Sequence, residues 1–469
     1  MPEAINYILD MKSNAWNGLE NAYAREYNAR AKEIELRWKY WKGDHKQPLK
    51  IQKDGINDNV ILNQIEQFTE DIVGFLIGDG IRFDASGDDK GSQTDDAIEQ
   101  MWTASRGAIL QQTLGLGGCI EGHCAVLLRP QDGALPKLQR QLGKYFSCFW
   151  DPFDMSRVLW YRLQYVAGDM GKRIDYVRGR VDGDEFNHDL PGWTEVVYTR
   201  RDEQQTMAMG GQKWQREINP VIWEFDFSPI VDWQNLPNPN GYYGMCDVES
   251  AIELNDGLNL DVSNAQRIIK HHADPKTVGT GFAAGELVMT EVGGLLTVPN
   301  SEAKVYNLEM QSDGAFVQWL VGVITSSIWQ SGGMVDPQAF KDKVGTLTNF
   351  GLRVLFNRAI KRTNKKRLLY AEAFEQIAQR GLAIAGLTPP ESVATIWPDV
   401  LPTDDTVEVA TLGQELQEGI ISKQTYRERR DYDNERETDR LSMEGAANGN
   451  VGATILAALG SRGFNRGGQ

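Results

Sequence analysis

The chain has 469 residues, 41% of them hydrophobic, and a formal net charge of −16. That length allows about two to four domains with real cores. The acidic balance argues against a surface that grips nucleic acid broadly, since grip comes from neutralising phosphates with Lys and Arg; a wall past which DNA slides remains compatible, because it repels the duplex.

Residues 1–30 lack a basic stretch followed by an apolar run, so no secretory signal is expected. No segment reaches about 18 uninterrupted apolar residues, the length a spanning helix needs. The richest stretch, Ala315 to Trp329, is broken by Gln318, Thr325, Ser326 and Ser327. A cytosolic origin and no membrane partner are expected.

In chain order, residues 12–42 read as an amphipathic helix with Trp16, Leu19, Tyr23, Tyr27, Ala31 and Ile34 at steps of three and four. It closes in RWKYWKGDH, where Gly43 stops it and Trp38 and Trp41 share a face. A second helix is predicted over Asn59–Ile77, with Ile61, Ile65, Phe68, Ile72 and Phe75 on one stripe, and a third over Gln93–Glu121. From Ala125 to Trp233 the pattern changes to short strands such as CAVLLRP, RVLWYRLQYV and TEVVYTR between turn-rich stretches. Helix resumes over 247–272, with Ala251, Leu254, Leu258, Val262, Ala265 and Ile268 in register, a span of roughly 35–40 Å. Strand and turn character follows over 273–310, then a helix near 313–330 carrying Phe316, Leu320, Ile324 and Ile328. These two helices can lie side by side only if the insertion returns the chain to its starting end. The loop 331–340, SGGMVDPQAF, leads into a long helical stretch. An extended element near Ile396–Leu401, acidic helices to about Leu441 and a Gly-rich tail complete the chain. The fold class is α+β, dominated by helix.

Motifs for chemistry are missing from the sequence. There is no GxxxxGK[ST], no GxSxG and no HExxH. Cys119, His123 and Cys124 lie close together, but no second ligand pair at metal spacing follows, so a helix end leading into a strand is the better reading. Acidic clusters at Asp84, Asp88 and Asp89 and at Asp431, Asp433, Glu435 and Glu437 read as solvated faces; a metal-dependent DNA-processing enzyme would need such carboxylates to converge. His271-His272 ends a helix, where it suits the negative end of the dipole. No catalytic residue, cofactor or metal ligand is predicted. Charge sorts by segment: 341–380 holds ten cations and three anions, whereas 401–445 holds six cations and twelve anions. Packing between these segments or against neighbouring subunits is expected, with contact to DNA as the sharper alternative.

Several local features share one resemblance. RWKYWKGDH, NDNVILNQIEQFTEDIVGFLIGDGIRF, SPIVDWQNLPNPNGYYGMCDVESAIELNDGLNLDVSN, GTLTNFGLRVLF, WPDVLPTDD and GIISKQTYRE stand in the order seen in portal proteins of tailed bacteriophages. Within them, Asn63 opens a helix, and Gly244, Asp247, Glu249, Asp256, Asn259 and Ser263 mark the approach to the portal stem. Thr348-Asn349, where the family usually has Ser-Gly, departs from the pattern.

The resemblance implies a ring, usually of twelve subunits, at one capsid vertex, with a β-rich wing, a two-helix stem, a small α/β clip and a helical crown. It maps as N-terminal helix 1–43, wing 44–246, stem helices 247–272 and 311–330, clip 273–310, tunnel loop 331–340, long helix and wing return 341–408, crown 409–445 and flexible tail 446–469. It implies double-stranded DNA in the channel, and the major capsid protein, the terminase and a head-completion, adaptor or tail protein as partners. The virion is the expected location, with host cytoplasm during assembly. Ser331, Gly332, Gly333, Met334, Val335 and Asp336 would form the tunnel loop, with Gly332-Gly333 as hinge and Met334 and Val335 presenting uncharged atoms to the channel. Lys341 and Lys343 are candidates for weak phosphate contact, and Gly279, Gly281, Gly293 and Gly294 for clip docking. A metal-dependent DNA-processing enzyme and a monomeric adaptor are the alternatives.

Overall fold

The computed structural model describes residues 14–50, 57–85, 91–151, 154–167, 170–182, 185–187, 191–201, 207, 214–216, 221–273, 277–280, 304–307, 314–337, 349–401, 405–429, 437–438 and 440–441. The chain divides into two compact units, Met1–Val400 and Leu401–Gln469.

The first unit opens with α1 (Asn14–Trp41) and α2 (Gln64–Ile77), then β1 (Arg82–Asp84), α3 (Gly91–Ala104) and α4 (Gly107–Glu121). Strands follow as β2 (His123–Gln131), β3 (Ala134–Arg140), β4 (Phe146–Asp151), β5 (Asp154–Ala167), β6 (Met170–Arg178), β7 (Arg180–Asp182), β8 (Glu185–Asn187), β9 (Trp193–Arg200), β10 (Trp214–Arg216), β11 (Val221–Trp223) and β12 (Ile230–Gln234). Then come α5 (Glu249–Ala273), β13 (Thr277–Thr280), β14 (Lys304–Asn307), α6 (Gly314–Ser331), α7 (Asn349–Leu355), α8 (Asn357–Ile384) and β15 (Ala394–Ile396). The second unit contributes α9 (Asp405–Gln417) and α10 (Lys423–Arg429).

Helical periodicity builds the main core. Ile65, Phe68, Ile72, Val73 and Leu76 give α2 its buried face, and Ala359, Tyr370, Phe374 and Ile377 do the same for α8. Aromatic rings lock these faces. Trp102 meets Phe374 at 5.3 Å between centroids and Trp233 meets Tyr370 at 5.4 Å, both edge-on. Such pairs add about 0.5–1.5 kcal/mol each beyond area burial.

Strand β2 joins the two halves of this unit. It is central in the sheet β12–β2–β3 and buried on both faces. Cys124, Val126 and Leu128 point into the helical core, while Ala125 and Leu127 join a second core with Phe146, Tyr161, Leu163 and Trp193. That second core backs onto the larger antiparallel sheet, ordered β10–β9–β6–β5–β4 with β11 also on β9. Double burial explains why CAVLLRP reads as an unbroken apolar run rather than an alternating one.

Three expected boundaries move. The helix expected over Gln93–Glu121 is two helices, broken at Ser105-Arg106. Arg106 adopts φ 60°, and Gly107 sits so close to the Trp102 carbonyl that a Cβ there would lie 2.9 Å from its oxygen. The long helix after the loop is likewise α7 and α8, parted at Phe356. The helix expected from Asn59 begins only at Gln64, with Asn63 as its N-cap accepting from the Glu66 amide at 3.3 Å. Residues 59–63 take neither helical nor strand structure.

Candidate channel helices and their polar anchors

Helices α5 and α6 pack side by side, and β13 and β14 between them pair antiparallel, Thr277 opposite Asn307. The insertion therefore does return the chain to its starting end.

Helix α5 is fixed by polar chemistry on its buried face. Asn255, Asn259 and Ser263 stand four residues apart and are fully buried. They satisfy the backbone of the segment before α2: Asn255 Oδ1 accepts from the Gln64 amide at 3.1 Å, Asn259 Oδ1 from Leu62 at 2.8 Å and Ser263 Oγ from Val60 at 2.9 Å. Asn255 Nδ2 also donates to the Leu62 carbonyl at 3.1 Å. The helix thus serves as a substitute strand for 60–64, and those amides have no need to form a helical turn. The donated amides fix both asparagine orientations, so both Nδ2 groups face His45 Nδ1 at 3.0 Å. That nitrogen must accept, and Nε2–H donates to the Tyr40 carbonyl at 2.8 Å.

Ion pairs hold both ends of α5. Just before it, Asp247 receives Lys366 Nζ at 2.5 Å, Arg362 Nη2 at 2.8 Å and Asn235 Nδ2 at 2.9 Å. Burial pushes this carboxyl up, but Lys366 and Arg362 outweigh it and hold the group below the usual carboxylate range. Near the far end, Lys270 and Arg267 hold Asp58 low in the same sense, Lys270 at 2.5 Å. Midway, Tyr40 donates to Asp256 at 2.8 Å, and its phenol is raised by burial and by that carboxylate.

Helix α6 differs in kind. Its 18 residues include no charged side chain. Ile328 and Trp329 in its last turn are buried in the core, and Val321 and Ile324 pack against it half-buried. Phe316, Trp319 and Val323 lie on one stripe and are 59%, 61% and 43% exposed, with the Phe316 and Trp319 rings 5.7 Å apart.

The helix ends in a Schellman turn: Gly333 N–H bonds the Gln330 carbonyl and Met334 N–H the Trp329 carbonyl, both at 3.0 Å. Gly333 has φ 78°. Gly332 is pressed on Phe68 so closely that a Cβ would lie 2.2 Å from its Cζ.

A second buried cluster lies between the sheets. Asp232 receives His123 Nε2 at 2.9 Å, Tyr161 at 2.7 Å and Tyr242 at 2.5 Å. Burial pushes Asp232 up, and these donors override it and hold it low. Burial pushes His123 down and Tyr161 and Tyr242 up. The cluster adjoins an open cleft of about 440 Å³ that Arg380 also lines. With His123 committed to Asp232 and the Cys124 thiol facing Tyr370 at 3.4 Å, Cys119, His123 and Cys124 do not converge on a metal. Burial raises the Cys124 thiol to about 12. Among the described residues, no three His, Cys, Asp or Glu side chains gather to hold a metal ion.

A family model described as phage portal protein, SPP1 Gp6-like, matches residues 196–449, more than half the chain. The chain belongs to that portal family. Among solved structures, the chain is similar to one from the virion of a native gene transfer agent particle, at 13% identity over 77% of this chain and 87% of that one, TM-score 0.42. It is also similar to one from the neck of an empty particle of that kind computed with C6 symmetry, at 14% identity over 77% and 88%, TM-score 0.45. No curated protein matches. Among the described residues, no helix is long and apolar enough to cross a membrane.

The residues expected to form a portal tunnel loop begin in the core: Met334 is 5% exposed and Gly332 packs against Phe68. Asp336 is also largely buried, with Val335 partly so, and Ser331 closes α6 by donating to the Ile328 carbonyl at 2.7 Å. Gly279 lies in β13 opposite Val305. Lys341, Lys343, Gly281, Gly293 and Gly294, and the acidic positions Asp88, Asp89, Asp431, Asp433 and Glu435, lie outside the described residues. Sequence reasoning missed Asn255, His45 and Lys366 as anchors. The signal for the first was polar residues repeating every four positions among apolar ones along α5. None existed for Lys366, which reads as one more cation in a basic run.

Proposed function

We propose that the chain forms a ring, dodecameric in the virion, that serves as the channel for double-stranded DNA packaging, retention and ejection at one capsid vertex. The observation that carries the reading, beside membership of a structural rather than enzymatic family, is the exposed apolar stripe of α6. A single chain leaves Phe316, Trp319 and Val323 in water, and a neighbour in a closed ring covers them. In this reading α5 and α6 form the stem, 273–310 the clip, 44–246 with 341–408 the wing and 409–445 the crown. The clip receives the packaging motor first and a head-completion or tail protein later, and the major capsid protein surrounds the ring. DNA passes without a chemical step, the energy coming from the motor. Lys341 and Lys343 offer weak phosphate contacts to the passing duplex.

Native mass spectrometry and negative-stain imaging of the purified chain test the assembly. Rings are expected, and Trp319→Glu should give monomers or open arcs while leaving the subunit folded. A wild-type chain that stays monomeric at high concentration in low and high salt, with and without capsid and scaffold proteins, would overturn the ring. Normal DNA packaging after removal of 273–310 would overturn the docking assignment.

A further inference from the structure

Helix α8 carries a cationic face whose charges are unevenly used. Arg362 and Lys366 both bind Asp247. Arg358, Lys361 and Lys365, at steps of three and four, are exposed, and none forms an ion pair with a carboxylate among the described residues. They rim a groove of about 810 Å³ whose other wall is Leu236, Pro237 and Met245. Leu368 lies at its edge and is 74% exposed. The like charges at 358/362 and 361/365 disfavour the isolated helix, so an external anion is what this face fits.

We infer that this groove is a subunit–subunit socket that receives an acidic surface of a second copy of the chain. Two features favour a protein over DNA as the occupant. Leu368 and Met245 offer apolar area that a phosphate backbone cannot bury, whereas a protein segment with carboxylates beside apolar side chains fills both parts of the groove. The chain also supplies the complement itself: it carries 65 acidic against 49 basic side chains, so a neighbour brings a surplus of carboxylates to this locally cationic face. In a closed ring the contact is heterologous, so a groove on one subunit meets a different surface of the next. Its wall, 236–245, leads through Asp247 directly into α5, which makes it continuous with the stem. The inference rests on the ring proposed above and adds a second contact to it.

The test places a photo-crosslinking benzophenone amino acid at Leu368 in the otherwise unchanged full-length chain and compares it with the same chain carrying Lys361→Glu and Lys365→Glu. Covalent pairs of the chain are expected on irradiation, with the second site mapping to an acidic segment. The charge reversal should raise the concentration for half-assembly about tenfold, as two exposed charge pairs would. Rings that assemble normally with no self-crosslink, and whose assembly ignores the charge reversal, overturn the socket and leave the ring standing. A wild-type chain that forms no ring overturns both. If the reversal instead abolishes binding of a short DNA duplex while assembly is unchanged, the groove is a phosphate contact and the inference is wrong. A single Lys365→Gln variant, with fold checked by circular dichroism, separates charge from misfolding.

Discussion

Lys366 Nζ lies 2.5 Å from Asp247 Oδ2, and both side chains are removed from water, Lys366 at 1% exposure. The pair pins α8 to the residue that leads into α5, so the long helix and the proposed stem share one buried charge contact. Breaking such a pair on one side strands a charge. Asp247→Asn is expected to cost about 3–5 kcal/mol, whereas Asp247→Asn with Lys366→Met should recover much of it. Urea unfolding of the variants checks this, and a double variant no better than the single one would refute the account.

Acid should weaken the fold through three carboxylates. Burial pushes Asp247, Asp232 and Asp175 up, but their donors win and hold each below the usual range: Lys366 and Arg362 for the first, His123, Tyr161 and Tyr242 for the second, Arg162 and Arg173 for the third. An unfolded Asp titrates near about 3.9. The unfolded chain therefore binds more protons in this window, so the contribution is complete above about pH 4 and is lost as pH falls through the folded values. Glu195, raised by burial, has the opposite sign and partly offsets the loss. The urea midpoint should decline gently below about pH 6.5, because burial keeps His123 neutral while an unfolded His takes a proton, and fall more steeply below about 4, with a shallower fall in Asp232→Asn.

Gly332 and Gly333 should behave as folding positions. A Cβ at Gly332 meets the Phe68 ring at 2.2 Å, so Gly332→Val is expected to destabilise by about 1–3 kcal/mol. Gly333→Ala at φ 78° should cost about 1–2 kcal/mol. Thermal melts decide between this and a hinge role, in which the melting temperature would not move.

The asparagine ladder predicts a local signature. Asn259→Ala removes the acceptor of the half-buried Leu62 amide, at a cost of about 1 kcal/mol or more. Amide exchange at Val60, Leu62 and Gln64 should accelerate well before exchange in α8. Equal acceleration across the unit would show that the ladder has no local role.

Segments whose apolar residues keep one period are legible from the chain alone. The three-and-four spacing of Ala251, Leu254 and Leu258 and of Leu320, Ile324 and Ile328 placed α5 and α6 within about two residues of their ends, and turn-bounded β-branched and aromatic runs placed the strands between His123 and Gln234. The ordered local motifs sufficed for the family. Where periodicity has competitors, contacts remote in sequence set the outcome. Asn59–Asn63 continues an apolar stripe, yet it stays non-helical because Asn259 and Ser263 accept from the Leu62 and Val60 amides, and Asn255 from Gln64, in place of a helical turn. Lys366 sits in a basic run expected to pack against the acidic segment or a neighbouring subunit, yet it is buried inside its own unit because Asp247, 119 positions earlier in the chain, waits for it. Met334 follows a Gly-Gly pair that reads as a free hinge, yet it is core because Phe68 and Ile72 close over the turn. In each case the deciding partner is remote in sequence, and a hydrogen bond, charge or ring face acts over distances that only folding creates.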